Sequence, residues 1–306
     1  TVLLSESDER KVSDIDTLAI SLLSWLGATG GNYIKSIKAS DDGEYLYAAC
    51  VEPTDVSEFM RGLDGGVHMS GTLRPLEQYV KTMDLPAGTV AKTYPSPFPK
   101  ENRLVVYMND VTTKYDEMKK DPSIFSRIER RTAKLCNAVN RNTLVFFTSY
   151  GMMNRMRPFL ERDIIRPMYW EHSGKPRRTM EELAQFKKGR DGVFFSVMGG
   201  SIAEGMDFPG EELSLAVIIG IPYPPPSLEG NALSELYDSR FGQGSGWKFV
   251  SEAPATRKIK QAIGRLIRTE TDRGMCVIMD KRAARYASEL DAHLTKDPIE
   301  DAKRFF

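Results

Sequence analysis

Two arginines and a glutamine recur at helical spacing in the segment Lys258–Arg268. Gln261, Arg265 and Arg268 stand at i, i+4 and i+7, so on a helix they fall within about 60° of one another. Paired guanidinium forks stay charged and donate bidentately, which suits a transferring phosphoryl group. Gly264 lies beside them, and because a glycine inside a helix costs about 1 kcal/mol, we expect something to approach closely there. The alternative is a solvated arginine face with an incidental glycine.

A glycine-rich segment at Gly199–Phe208 is the second candidate for chemistry. Its two leading glycines allow close approach of a ligand to the backbone, and Ser201 can cap a short following helix. Glu204 and Asp207 add two carboxylates beside Gly205. An ordinary capping turn is the alternative reading of this segment.

The elements that must position these residues are short apolar strands alternating with helices. Uninterrupted apolar runs at Thr143–Thr148, Leu215–Ile219 and Met275–Met279 favour a parallel sheet buried on both faces. The pattern predicts an open, mainly parallel α/β sheet with helices on both faces, whose sites lie beyond the carboxyl ends of the strands. A smaller α+β segment precedes it. The expected strands are 33–38, 44–51, 104–108, 143–148, 167–169, 192–197, 213–219 and 275–280; the expected helices are 12–26, 122–141, 152–162, 179–188, 228–239 and 255–269.

Weaker local signals complete this reading. Val67–Ser70 is interpreted as a buried strand end, and a short helix is expected from Asp55. Prolines cluster between residues 85 and 101, which indicates a boundary there. The predicted divisions are residues 1–66, 67–100 and 101–306.

Composition indicates an ordinary globular protein and excludes disordered, collagen-like and coiled-coil classes. The 306 residues carry 42 basic and 42 acidic side chains, and 41% of the residues are hydrophobic. The zero net charge argues against a nucleic-acid protein, yet it conceals an acidic segment at 1–66 and two basic blocks at 152–190 and 251–285. The three cysteines are isolated, which predicts a protein without disulfides or zinc. The acidic start and the lack of a long apolar run predict an intracellular, soluble protein without a membrane partner.

Four segments, in order, resemble the motifs of the XPD group of superfamily 2 DNA helicases, and the related DinG-type helicases share much of the pattern. They are Ser70–Leu73 (motif III), Leu144–Tyr150 (motif IV), Gly199–Phe208 (motif V) and Gln261–Arg268 (motif VI). The resemblance implies an ATP-driven 5′→3′ DNA helicase acting in DNA repair, with ATP held between two RecA-like domains. It implies that 1–66 is an interdomain or arch-derived segment, 67–100 the motif III segment and linker, and 101–306 the second RecA-like motor domain.

The sequence departs from that family pattern in what it lacks. The G-x-x-x-x-G-K-[ST] loop is absent, since the only Gly-Lys pair, Gly174-Lys175, is followed by proline. An Asp-Glu-x-His box for magnesium and the four cysteines of the family's iron–sulfur cluster are also missing. We therefore expect ATP and Mg²⁺ to be held mainly by a separate Walker-bearing first motor domain, and the iron–sulfur cluster to belong to the full-length family member. This polypeptide alone is predicted to be inactive.

The resemblance also implies roles for individual residues. Arg265 and Arg268 would be arginine fingers positioned by Gln261. Nucleotide contacts would come from Glu204, Gly205, Asp207 and Gly264. DNA contacts would come from Ser70, Thr72, Ser149, Tyr150, Arg155, Ser201, Trp247, Lys248, Lys281 and Arg282.

Several readings remain open at this stage. Thr72 could instead cap a helix, and Trp247 could pack instead of stacking on a base. The expected partners are single-stranded DNA, the Walker-bearing domain and repair-complex proteins; the expected compartment is the cytoplasm of a prokaryote or the nucleus of a eukaryote. The alternative function is a nonenzymatic RecA-like module that docks DNA or protein.

Overall fold

The computed structural model of the chain describes residues 13–30, 32–40, 43–52, 54, 58–73 and 75–306. The chain divides into two compact units. The amino-terminal unit comprises the described part of Thr1–Val90 together with Pro225–Val250, and the sheet unit comprises Ala91–Pro224 together with Ser251–Phe306. Residues 225–250 therefore fall outside the unit that contains most of the predicted 101–306 domain.

Within the described residues, the elements are as follows in chain order. The helices are α1 Asp14–Gly27, α2 Leu76–Thr82, α3 Tyr115–Lys120, α4 Ser123–Ala138, α5 Tyr150–Asp163, α6 Pro176–Lys188, α7 Ser201–Gly205, α8 Leu228–Phe241, α9 Ser245–Trp247, α10 Ala253–Ile263, α11 Ala287–Leu290 and α12 Pro298–Phe305. The strands are β1 Tyr33–Ser40, β2 Gly43–Cys50, β3 Arg103–Met108, β4 Thr143–Phe147, β5 Met168–Trp170, β6 Val193–Val197, β7 Leu215–Ile219, β8 Gly274–Ile278 and β9 His293–Thr295. Short 3-10 turns lie at Glu58–Gly62, Lys100–Asn102, Gly210–Glu212 and Lys281–Tyr286, and a π-helical turn lies at Lys248–Glu252.

The sheet unit is built on seven parallel strands in the order β5-β6-β4-β7-β8-β3-β9. In the register of β4 with its neighbours, Phe147 pairs with Val197 of β6 and with Ile219 of β7. The carboxyl ends of these strands therefore reach the same edge of the sheet. The parallel α/β sheet predicted from the apolar runs is confirmed.

Both faces of this sheet are buried, as the uninterrupted apolar runs require. Along β4, Val145 and Phe147 join one hydrophobic cluster, whereas Leu144 and Phe146 join the other. Helices α4, α5 and α12 contribute to the first cluster, and α6, α7 and α10 contribute to the second. Burying each large apolar side chain stabilises the fold by about 1.5–3 kcal/mol, so the sheet with its two helical layers forms the main core.

The amino-terminal unit holds Pro225–Val250 through polar contacts between segments far apart in sequence. Lys38 Nζ lies 2.8 Å from Glu229 Oε1, and Arg240 Nη1 lies 2.8 Å from Glu52 Oε2. Glu52 is buried, so this second pair is shielded from solvent. Such contacts between segments far apart in sequence explain why the proline-based boundary did not anticipate this grouping.

One predicted element is wrong, and another falls mostly on residues that the structure does not describe. Val67–Ser70 was expected to be a buried strand end, but it is an irregular segment in which Val67 and Met69 are almost fully exposed. It has no strand partner among the described residues, so its apolar side chains have no sheet to pack on. The short helix expected from Asp55 falls mostly on residues outside the description. The described part of the chain contains no helix long and apolar enough to cross a bilayer.

Candidate functional site

The glycine-rich segment follows β6 at the carboxyl edge of the sheet, where the sequence predicts a ligand site. Gly199 has a φ of 86°, and a Cβ at Gly200 would lie 2.6 Å from Glu171 Oε1 and 2.8 Å from Oε2. Both glycines are thus required, one by its backbone conformation and one by a close approach. The N-cap of α7 is Gly200, so the expectation that Ser201 caps this helix is wrong. The side chains of Ser201 and Glu204 lie outside the description.

Glu171 is a buried carboxylate that the sequence interpretation missed. Its Oε2 accepts hydrogen bonds from Ser196 Oγ at 2.6 Å and from the amide of Val197 at 3.0 Å. Tyr150 also hydrogen-bonds to it; burial, followed by this contact with Glu171, raises the pKa of Tyr150 to about 12. Glu171 therefore connects the start of α5, after β4, to the carboxyl end of β6. The only signal in the sequence was a lone acidic residue following a short predicted strand.

The side chain of Arg265 hydrogen-bonds to the same glycine-rich loop. Its side chain is buried, its Nε donates to the carbonyl of Ala203 at 2.7 Å, and its Nη1 donates to the carbonyl of Met206. The loop is held further where Lys187 Nζ donates to the carbonyl of Asp207. In this arrangement the Arg265 guanidinium supports the loop, and a role as a finger would require these carbonyl bonds to break.

The exposed side chain of Arg268 contacts the same loop. Its Nη2 donates to Asp207 Oδ1 at 2.6 Å, with the two side chains 40% and 79% exposed. The turn that carries Arg268 is fixed by Asp272, whose Oδ2 accepts the amides of Arg268 at 2.7 Å and Thr269 at 2.8 Å. Burial opposes ionisation of Asp272, but these hydrogen bonds outweigh it and lower its pKa. Arg268 is therefore held in place while its guanidinium stays accessible.

The two arginines do not share a helix, contrary to the expectation of one helix over 255–269. Helix α10 ends at Ile263 with Gly264 as its C-cap, and a turn follows. Glycine weakens the helix at this point, and the Asp272 carboxylate accepts hydrogen bonds from the amides of Arg268 and Thr269 in place of helical carbonyls. The close approach expected at Gly264 comes only from its own helix, where a Cβ on Gly264 would lie 3.2 Å from the carbonyl oxygen of Lys260. Gln261 remains in the last turn of α10.

The residues after β4 serve first as structural parts of α5. Ser149 is the N-cap, and its Oγ accepts the amide of Met152 at 3.2 Å. Tyr150 is half-buried against the core. Arg155 is exposed, and its guanidinium carbon lies 3.9 Å from the ring centre of Phe125. Of these three predicted DNA contacts, Arg155 presents the most accessible polar group.

Beyond β8, Arg282 is locked into a buried polar cluster. Asp280 is fully buried and accepts hydrogen bonds from Arg282 Nε at 2.9 Å and Nη2 at 2.7 Å, as well as from the amide of Thr113 at 2.8 Å. Gly220 must lack a side chain here, because a Cβ would lie 2.4 Å from Thr113 Oγ1. Lys281 instead forms an ion pair with Glu117, with Nζ 2.5 Å from Oε2. Lys281 is therefore the more accessible of the two predicted contacts.

In the amino-terminal unit, the glycine-rich run before Trp247 is a tight helical turn, although the sequence indicates a flexible loop. The amide of Gly246 donates to Asp238 Oδ1 at 2.8 Å, and a Cβ at Gly246 would lie 2.2 Å from the carbonyl oxygen of Ser234. Trp247 and Lys248 are exposed at the end of this turn. In the same unit Ser70 and Thr72 lie on an exposed turn, where the Thr72 amide donates to Ser70 Oγ at 3.2 Å.

The described residues contain no group of three or more His, Cys, Asp or Glu side chains arranged to hold a metal ion. The multidentate groups that could meet a phosphate at this edge are the guanidiniums of Arg265 and Arg268. Of the two, only Arg268 is accessible. An accessible guanidinium of this kind can contact the phosphates of a ligand.

Two family models match the chain. The Helicase C-terminal domain model matches residues 132–297, and the Helical and beta-bridge domain model matches residues 23–117.

Individual relatives and solved structures agree with these models. A probable ATP-dependent helicase of Methanocaldococcus jannaschii is 28% identical over 82% of this chain and 41% of its own length. A regulator of telomere elongation helicase 1 homolog of Drosophila grimshawi is 28% identical over 91% of this chain and 30% of its own length. A solved XPD helicase structure aligns with a TM-score of 0.63 at 25% identity, covering 90% of this chain and 49% of that one. The chain thus spans less than half the length of these relatives.

Proposed function

Because the chain belongs to the Helicase C-terminal domain family, as the carboxyl-terminal part of an XPD- or DinG-type superfamily 2 helicase, we propose that it serves as the second motor domain of an ATP-dependent 5′→3′ DNA helicase acting in DNA repair. The observation that carries the proposal is the meeting of Arg265 and Arg268 with the loop at Ala203–Asp207. In this proposal the loop senses nucleotide and the arginines contact it.

Arg268 is the better candidate for the arginine finger. Its guanidinium is accessible and its present partner, Asp207, is an exposed carboxylate. A γ-phosphate carries more charge than one carboxylate, and Asp207 accepts from Nη2 alone, so a phosphate that accepts both arms of the fork can displace it. Arginine fingers contribute about 10³–10⁵ to the rate in related phosphoryl-transfer systems.

Arg265 is proposed to act as a positioning residue in the nucleotide-free state. Its bonds to the carbonyls of Ala203 and Met206 hold the loop so that Asp207 faces Arg268. Gln261, Gly264, Glu204 and Gly205 complete the proposed nucleotide contacts. Bound ATP with Mg²⁺ would supply the free energy for strand movement, and we propose that a separate Walker-bearing first motor domain holds most of both. The iron–sulfur cluster is likewise proposed for the full-length protein.

Single-stranded DNA is the proposed substrate. In the sheet unit, Arg155 and Lys281 offer accessible cations for phosphates, while Ser149, Tyr150 and Arg282 are proposed to support that surface through the contacts described above. In the amino-terminal unit, Trp247 would stack on a base and Lys248 would contact a phosphate. Ser70 and Thr72 would couple hydrolysis to movement of the strand, and Ser201 would contact it at the glycine-rich loop.

The proposal is tested by reconstitution. The 306-residue chain alone is expected to show no ATPase activity, and mixing it with a separately expressed Walker-bearing domain of a related helicase is expected to produce ATPase activity stimulated by single-stranded DNA. Activity of the chain alone would contradict the proposed division of the ATP site.

A nonenzymatic docking module is the second candidate. The observation favouring it is that both arginines already have protein partners, as structural arginines do. Under this alternative the mixture would bind DNA or repair-complex proteins but would not hydrolyse ATP. Replacing Arg268 would then have no catalytic rate to change.

A further inference from the structure

A groove with a cationic lining lies in the sheet unit, away from the glycine-rich loop and both arginines of the candidate site. Its volume is about 390 Å³, within the range of ligand sites. One wall is a face of α4; the other is the segment from Lys296 to Ile299, which leads from β9 into α12. We call it the basic groove, and it is lined by the cations Arg127, Arg130, Arg131, Lys134 and Lys296 together with Asp297, Pro298 and Ile299.

The spacing of the cations follows from the helix. Arg127, Arg130, Arg131 and Lys134 stand at i, i+3, i+4 and i+7 of α4, which places them on one face. The opposite face of α4 is buried against the sheet, so this row is fixed in direction by the core. At 1.5 Å per residue the row is about 10 Å long, so it can meet more than one phosphate of a strand.

The carboxylates near the groove offset only part of its charge, because three of them face five lining cations. Arg131 pairs with Asp110, and Arg127 pairs with Asp121 at 3.1 Å. The carboxylate of Asp297 is occupied as the N-cap of α12, where it accepts the amides of Ile299 and Glu300. The groove's charge therefore comes from side-chain cations and does not depend on the helix terminus.

Three cations remain available for a ligand. Arg130, Lys134 and Lys296 are exposed and form no ion pair with any residue that the structure describes. A row of cations facing a groove is suited to a chain of phosphates, because a single anion would engage only one end of it.

We propose that the basic groove binds the phosphodiester backbone of a nucleic-acid strand, as a contact separate from motifs III to VI. This inference rests on the proposed function for the identity of the ligand. The groove tracks the backbone without reading bases, since its lining offers cations and no exposed aromatic ring. It would hold the strand while the nucleotide-linked contacts change.

The test is fluorescence anisotropy of the full 306-residue chain with a labelled oligo-dT strand longer than the ~4–16 nucleotides of one binding site. The groove variant is Arg130→Gln, Lys134→Gln and Lys296→Gln together. The matched control removes three cations from α6 through Arg177→Gln, Arg178→Gln and Lys188→Gln. All six positions are exposed, and thermal unfolding checks that both triple variants stay folded.

The groove variant should bind the strand about 10-fold more weakly at 50 mM salt, and the slope of log affinity against log salt should become shallower by about 2. The control should bind like the parent chain. Equal weakening of both triple variants would show a nonspecific charge effect and overturn the proposal. Unchanged binding by the groove variant, with binding still weakened by Lys281→Ala, would overturn the groove while leaving the proposed function standing.

Two further results distinguish failure of the groove proposal from failure of the proposed function. If inorganic tripolyphosphate binds the parent chain and not the groove variant, while DNA affinity is unchanged, the groove serves a soluble phosphate and the proposal is wrong. If the parent chain binds no DNA at any salt concentration, the proposed function fails and the groove proposal fails with it.

Discussion

Arg268 and Asp207 form an ion pair across 61 residues of sequence, with Nη2 donating to Oδ1 at 2.6 Å. The pair joins the turn after α10 to the loop after β6, and both side chains are substantially exposed. Exposed pairs contribute about 0–1 kcal/mol to folding. The pair is therefore weak enough for a phosphate to displace Asp207, while Asp272 keeps the turn that carries Arg268 in place.

The first prediction concerns the stability of this pair. Arg268→Ala should lower the free energy of unfolding by less than about 1 kcal/mol, because the pair is solvent-screened. Urea unfolding followed by circular dichroism measures the change. A loss several times larger would mean that Arg268 is a structural residue, as the docking-module alternative requires.

Arg265 should behave in the opposite way. Arg265→Ala removes a buried guanidinium and leaves the carbonyls of Ala203 and Met206 without their donors. Two buried acceptors left unpaired should cost about 2–4 kcal/mol in the same urea experiment. A change as small as that of Arg268→Ala would show that Arg265 does not hold the loop.

Gly200 and Gly205 provide a matched pair of substitutions in one loop. Gly200→Ala should destabilise the fold by about 1–3 kcal/mol, because its Cβ would lie 2.6 Å from Glu171 Oε1. At Gly205 a Cβ would meet nothing within 4 Å, so Gly205→Ala should be neutral or slightly stabilising. Thermal unfolding of both variants measures the contrast, and equal effects would place Glu171 away from this glycine.

Tyr150 should make stability depend on pH in the alkaline range. Its folded pKa of about 12 exceeds the unfolded value of about 10, so the folded state keeps the proton over this range. The contribution to stability is complete below about pH 10 and is lost as the pH rises toward about 12. Unfolding free energies of the parent chain and of Tyr150→Phe should therefore converge as the pH rises. Parallel curves would show that Tyr150 titrates alike in both states.

The parallel sheet could be predicted because its strands are apolar on both faces. β4 is a continuous apolar run, and all five of its residues are buried. Strands and helices that carry such periodic apolar patterns lie within a few residues of their predicted bounds, apart from the helix expected over 255–269, which ends at Ile263. The glycine-rich segment follows β6 at the carboxyl edge of the sheet, as the order of strand and loop predicts.

The geometry of the candidate site could not be predicted because it depends on polar contacts between distant segments. The helical period continues through Gly264, but α10 ends at Ile263, because glycine weakens the helix and the amides of Arg268 and Thr269 donate to Asp272 instead. Glu171 carries no periodic signal, yet it joins Tyr150 to the end of β6, directly before the glycine-rich segment. The short β9 and α12 were missed as well, and they form one wall of the basic groove.

The central claim is that Arg268 acts on ATP bound by another domain. The most direct measurement is the DNA-stimulated ATPase rate of the chain mixed with a Walker-bearing first motor domain, comparing the parent with Arg268→Ala and with Arg177→Ala as an exposed control. We predict that Arg268→Ala lowers kcat by about 10³-fold or more while the control retains the parent rate. An Arg268→Ala mixture that hydrolyses ATP at the parent rate would contradict the account.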